Sequence, residues 1–184
     1  MTFFTQTNDN QYQFTKQLYL EGHEVAIHTI NHSTTEQSTK ETWEREIVKA
    51  REYISKYCKS HLWLFIQSPL ADIPEKDIVG FRAPDLHYND EMLSVLQERG
   101  FLYDSSIPYD GTSFYFPYTL DFGAREQSWK TNHVKTPHPG LWEFPLPTLM
   151  NEDFSVNTVQ DPNGSKEEII ELLTKNFGNC FSYY

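Results

Sequence analysis

The sequence predicts an α/β fold with a mainly parallel sheet, and three observations predict it. Short apolar runs rich in β-branched and aromatic residues recur along the chain, several ending in a polar side chain. Amphipathic segments with apolar residues at helical spacing lie between them. Strand and helix therefore alternate, the order expected when each helix crosses back over a parallel sheet.

"MTFFTQT" opens as a strand. "DNQYQFTKQLYLEG" follows as a helix, with Phe14, Leu18 and Tyr19 near one face and Gly22 as its stop. "HEVAIHT" reads as a second strand ending at His28. "STKETWEREIVKAREYISKYC" is the clearest helix. Ser38 and Glu41 fit a capping box, and Trp43, Ile47, Ala50, Ile54 and Tyr57 fall on one face. "DIVGFRAP" is a third strand ending at Pro84, and "NDEMLSVLQERG" is a helix closed by Gly100. "FLYDSSI" is a fourth strand, followed by a long aromatic- and proline-rich stretch with little periodicity. "GLWEFPLP" is a late strand, and "SKEEIIELLTKNFGN" is a final helix with Ser165 and Glu168 as its capping box. "SHLWLFIQSPLAD" (60–72) is apolar without alternation. It leaves two readings open, a buried strand or translated non-coding sequence.

Composition narrows the function. With 38% hydrophobic and 22% charged residues in 184, the chain has the make-up and length of one domain with a core. Aromatic residues reach 15%, which serves a core or a sugar-stacking surface equally. A net charge of −11 argues against nucleic acid and anionic membranes as partners, but not against a neutral polymer. Two cysteines, Cys58 and Cys180, are too few for a disulfide framework, and their pairing is not readable. No secretory signal is visible at the start, and "LWLFI" is too short to span a bilayer.

The candidate chemistry begins at "AIHTINHS" (26–33), where His28 and His32 stand four apart. Seven histidines in the chain make about 0.25 such pairs by accident, so the pair alone is a weak signal. Context strengthens it. The run "VAI" delivers His28 to the carboxyl end of a strand, where α/β sheets place ligands. Imidazole suits zinc and similar ions, and Thr29 and Asn31 are short hydrogen-bonding residues fit to steady the rings. His23-Glu24 does not open an HExxH motif, because the next histidine is five residues on. Arg82 ends the third strand, where a guanidinium pairs with and orients a carboxylate; an ordinary strand-end salt bridge is the bland alternative. Asp104 ends the fourth, where an Asx-turn is the bland alternative. In a parallel sheet these ends lie on one side, so His28, His32, Arg82 and Asp104 are expected to converge.

Together "GHEVAIHTINH", "VGFRAP", "GFLYDSSI", "PYTLDFG" and "LWEFPLP" resemble the polysaccharide deacetylases of carbohydrate esterase family four, nearest to their chitin-deacetylase-like branch. The motifs occur in order over nearly the whole chain, with 60–72 as the exception. The resemblance implies a distorted (β/α) barrel of the NodB homology type over residues 1–184 and a divalent metal, usually zinc. It implies removal of N-acetyl groups from chitin or a related polysaccharide. On it, His28 and His32 match the metal-binding histidines, and Arg82 matches the arginine that positions the catalytic base. Pro84 belongs to the same motif, and Thr29 and Asp104 are further motif positions. Trp142 matches a residue near the wall of the substrate groove, and Tyr118 is a further substrate-binding candidate. The family's reaction is attack of metal-activated water on the acetamide carbonyl, with a carboxylate as base and a histidine as acid.

The resemblance also implies what this chain does not carry. The family's Asp-Asp pair, one the base and the other the third metal ligand, belongs to a strand before "MTFFT"; Asp9 does not match it. The family's acid histidine follows the final helix, whereas the last histidine here is His138. The expectation is a partial domain that is weak or inactive alone. The competing expectation is a carbohydrate-binding pseudoenzyme that uses the segment Tyr109 to Tyr118, Trp129 and Trp142 for stacking. The family is usually secreted or wall-associated.

Overall fold

The computed structural model describes residues 1–8, 10–55, 71–109, 116–124, 134–150, 156–158 and 164–181. Strand β1 (Thr2–Thr5) leads through helix α1 (Tyr12–Leu20) to β2 (Glu24–Ile27). Helix α2 (Lys40–Ser55) precedes β3 (Gly80–Phe81), and α3 (Asp90–Glu98) precedes β4 (Tyr103–Asp104). There follow β5 (Pro108–Tyr109), β6 (Tyr118–Thr119), β7 (Trp142–Glu143), β8 (Leu146–Pro147), β9 (Leu149–Met150), β10 (Val156–Thr158) and helix α4 (Lys166–Phe181). The main sheet runs β1-β2-β3-β4-β7-β6. Its neighbours pair in parallel except for β6, which is antiparallel to β7. Among the described residues the sheet is open, with β1 and β6 at its edges. The alternation expected from the sequence is thus present. The aromatic stretch, expected to be irregular, contributes β6 to the main sheet.

Strand side chains alternate between faces, and the two faces of this sheet differ. Val25, Ile27 and Phe81 point to the face that α2 and α3 cover, where they join Trp43, Ile47, Ala50, Ile54, Leu93 and Leu96 in one buried cluster. Trp43 meets Phe81 edge-on at 6.2 Å. The expected apolar face of α2 is therefore the packed one, save that Tyr57 lies outside the described residues. The opposite face carries Phe4, Arg82, Tyr103, Trp142 and Phe144. Phe4 meets Tyr103 edge-on at 6.4 Å, and Tyr103 meets Phe144 at 4.9 Å. This face is only half-covered, and Trp142 and Phe144 are each 44% exposed.

Helix ends follow local chemistry, with one shift. Ser165 and Glu168 form the expected reciprocal box at the start of α4, with bonds of 2.7 and 3.3 Å. At α2 the helix begins one residue later than the box at Ser38 and Glu41 requires. The capping hydroxyl is that of Thr39, which accepts from the Thr42 amide. Ser38 instead accepts from the amide of Thr35 in the preceding turn.

Gly80 shows how tightly the half-covered face is built. A Cβ there would fall within the ring of Tyr103. That ring cannot simply turn away, because its hydroxyl donates to Glu24 at 2.9 Å. Gly80→Ala should cost about 1–3 kcal/mol, the usual range for overpacking. Thermal unfolding checks this, and an unchanged midpoint would show that the ring yields freely.

Candidate metal centre

His28 stands one residue beyond β2, and its backbone amide donates to Thr5 O at 2.9 Å. Its ring is fixed from the next strand. The ring Nδ1–H donates to the carbonyl of Arg82 at 2.8 Å, leaving Nε2 as the lone-pair nitrogen. Burial pushes the His28 pKa below its ordinary value, against the bond to Arg82; His32 and the Arg82 charge lower it further, and Asp85 opposes them. The imidazole is therefore held neutral, the form that binds metals.

His32 follows after a tight loop. Thr29 and His32 both have left-handed backbones, with φ of 62° and 59°. The Thr29 hydroxyl accepts from the His32 amide at 3.2 Å and so closes the loop. This brings the two rings to 5.0 Å between centroids, tilted by 61°. Thr29 thus braces the loop backbone, while Asn31 accepts from Ser33 rather than touching a ring. Asp85 Oδ2 lies 3.8 Å from His32 Nδ1. Among the described residues, no group of three His, Cys, Asp or Glu side chains is placed to hold an ion. Two imidazoles, one already in its ligand tautomer, fit a borderline divalent ion as two of its ligands.

Arg82 begins where β3 ends, and its amide donates to Ile27 O at 3.0 Å. Its guanidinium donates to Ser105 O at 2.9 Å and to Ser105 Oγ at 2.8 Å, and it lies 4.0 Å over the Phe4 ring. These contacts are a peptide oxygen, a hydroxyl and an aromatic face, where the sequence suggested a carboxylate. Pro84 is buried and opens the short turn Pro84–Leu86.

Asp104 does not join the imidazoles. It pairs in register with Phe81 and Glu143, so it points to the buried face, whereas Arg82 and Ser105 point the other way. Both carboxyls are fully buried. Asp104 accepts from Ser106 Oγ at 2.6 Å and from the Ser106 amide at 3.2 Å, and Glu143 accepts from the Ile107 amide at 3.1 Å. Burial pushes the Asp104 pKa up to about 6, against the pull of Ser106 and Glu143. Burial, then the Asp104 charge, raises Glu143 well above the carboxylate range. Among the described residues, Glu143 Oε2 has no N–H or O–H donor. A proton held between the two acids accounts for that orphan oxygen.

The remaining candidates lie elsewhere. Trp142 is half-exposed on β7, whereas Tyr118 is 5% exposed and sits in the core cluster. His138 is at the start of α3, with Nε2 3.3 Å from Asp90 Oδ1 and 3.2 Å from Thr136 Oγ1. Asp9, Cys58, Trp129 and the Cys180 side chain fall outside the described residues. Glu143 and Asp85 are the two groups that the sequence did not single out for a role. Glu143 is visible only through strand register, and Asp85 only through the turn that carries it.

Comparison with known proteins finds similarity to polysaccharide deacetylases. The family model for polysaccharide deacetylase matches residues 1–74, which include both imidazoles. Over 128 residues, 66% of this chain, the sequence is 28% identical to a Bombyx mori protein named chitin deacetylase 1. That stretch is 21% of the length of the silkworm protein. A crystal structure of a candidate polysaccharide deacetylase from Mycobacterium smegmatis superposes with a TM-score of 0.61 at 22% identity. It covers 97% of this chain and 53% of that one. The chain is thus similar in sequence to polysaccharide deacetylases and shares the α/β fold of that crystal structure over nearly its whole length.

Proposed function

We propose that the chain supplies the imidazole pair of a divalent-metal centre, with zinc the expected ion. The enzyme type is a hydrolase that removes N-acetyl groups from chitin or a related polysaccharide. The observation that carries this is the convergence of His28 and His32, with His28 held in its ligand tautomer by the Arg82 carbonyl. A bound ion would polarise the acetamide carbonyl and activate water. The chain's own part is to hold the His28 imidazole neutral and to fix Arg82 between Ser105 and Phe4. Proton transfer without a positioned base or acid loses about 10²–10⁴ in rate for each, so turnover by the imidazole pair and its ion alone is expected to be slow.

The test pairs zinc binding with acetate release from chitin oligomers by the purified chain. The expected result is zinc bound by the wild type, lost in His28→Ala, and at most slow, chelator-sensitive acetate release. Acetate release that survives both the chelator and His28→Ala would overturn the metal reading. A second reading is favoured by Trp142 and Phe144, two half-exposed aromatics on one sheet face. It is carbohydrate binding without turnover, by stacking. Oligomer binding that Trp142→Ala weakens, with no acetate released at any zinc concentration, would select it.

A further inference from the structure

The loop after β3 reaches both imidazoles. Arg82 offers its carbonyl to Nδ1 of His28 at 2.8 Å. Three residues on, Asp85 presents Oδ2 to Nδ1 of His32 at 3.8 Å. Two backbone bonds close the turn between them. Leu86 N bonds to Ala83 O at 3.2 Å and His87 N to Pro84 O at 2.9 Å. Pro84 and Leu86 are buried on either side of Asp85, whose side chain is 58% exposed.

The backbone is strained at the same places. Five non-glycine residues among those described have positive φ: Thr29, His32, Asp72, Asp85 and Leu86. Four of them lie in the two loops that carry the imidazoles and Asp85. Strain of this kind is unfavourable and persists where the surroundings enforce a geometry. Here it turns Asp85, with φ 49° and ψ 18°, so that its carboxylate lies beside His32.

We propose that Asp85 is the orienting carboxylate of His32. It holds Nδ1 in its protonated form, so that His32, like His28, presents Nε2 to the same ion. The proposal rests on the metal-centre reading and adds to it a residue three positions beyond Arg82. A carboxylate behind a ligating imidazole fixes its tautomer and makes the other nitrogen more basic. Asp85 is here a positioning residue that acts through His32.

Two substitutions isolate it without backbone cost. Asparagine tolerates a left-handed φ and removes only the charge, and glycine adopts it freely and removes the side chain. Asp72→Asn is the matched control, because Asp72 also has a positive φ of 52° and pairs with Lys16 away from the imidazoles. Zinc affinity of the full chain is measured by competition with a chromophoric chelator. Asp85→Asn and Asp85→Gly should each weaken it by about 10–100-fold, with Asp72→Asn unchanged and the metal-free melting temperatures alike. Long-range ¹H–¹⁵N spectra of the metal-free protein should show His32 as the Nδ1–H tautomer, and a tautomer mixture in Asp85→Gly. Affinities within two-fold of wild type in both variants, or a His32 tautomer indifferent to Asp85→Gly, overturn the assignment. If the wild type binds no zinc, the metal-centre reading fails, and the tautomer spectra still decide whether Asp85 orients His32.

Discussion

Glu143→Gln should make the protein progressively more stable than wild type as the pH rises. The argument starts from strand register. Asp104 and Glu143 face each other on β4 and β7, both fully buried. Two adjacent carboxylates cannot both be charged there, so one proton stays between them. Burial lifts Asp104 to about 6 and Glu143 well above its ordinary value. An acid whose folded pKa is raised gives stability that is complete below its unfolded value, about 4, and lost as pH climbs through the folded value. The pair therefore favours the folded state at low pH and loses stability from about pH 4 up through the Asp104 value near 6, and further as pH climbs towards that of Glu143.

Glutamine keeps the shape, still accepts from the Ile107 amide, and donates a permanent N–H towards Asp104. The melting temperature of Glu143→Gln minus that of wild type should be near zero at pH 4. It should reach about 5 °C or more at pH 8, as expected for a difference on the order of 2 kcal/mol in a chain of this size. Parallel pH profiles would mean that the two carboxyls do not share a proton. Glu143→Ala should be destabilising at every pH by on the order of 2–4 kcal/mol, because it leaves a cavity and an unpaired Ile107 amide.

The second large effect is expected at Arg82. Its guanidinium spans the carbonyl and hydroxyl of Ser105 while lying on the Phe4 ring, and Asp104 and Glu143 feel its charge from the other side of the sheet. Arg82→Lys keeps the charge but has no planar fork to make both bonds and stack at once. It should lose about 2 kcal/mol, the sum of a charge-assisted hydrogen bond and a cation–π contact less what lysine recovers. Arg82→Met should lose more, and more steeply above pH 6, because it also removes a positive charge coupled to the buried acids. Urea unfolding at pH 5 and pH 8 separates the two variants. Equal losses in both, at both pH values, would show that the charge of Arg82 is irrelevant to the pair. In the proposed enzyme both variants should also slow acetate release, since Arg82 borders the imidazole pair and its carbonyl holds the His28 ring.

Much of this protein was legible before any coordinates. The alternation of apolar runs and amphipathic segments determined the parallel sheet and its covering helices, because a buried helix face needs a period near 3.6 and the residues Trp43, Ile47, Ala50 and Ile54 have it. The motif order determined the family likeness and put His28, Arg82 and Asp104 at the ends of adjacent strands. Tertiary structure alone decided which of those ends meet. Strand side chains alternate, so a register of Phe81 with Asp104 sends Asp104 under the sheet to Glu143 and leaves Ser105 for Arg82. Asp85 shows the same limit. Its place beside His32 depends on a left-handed turn between two buried residues, and turns of that kind leave no periodicity in the sequence to read.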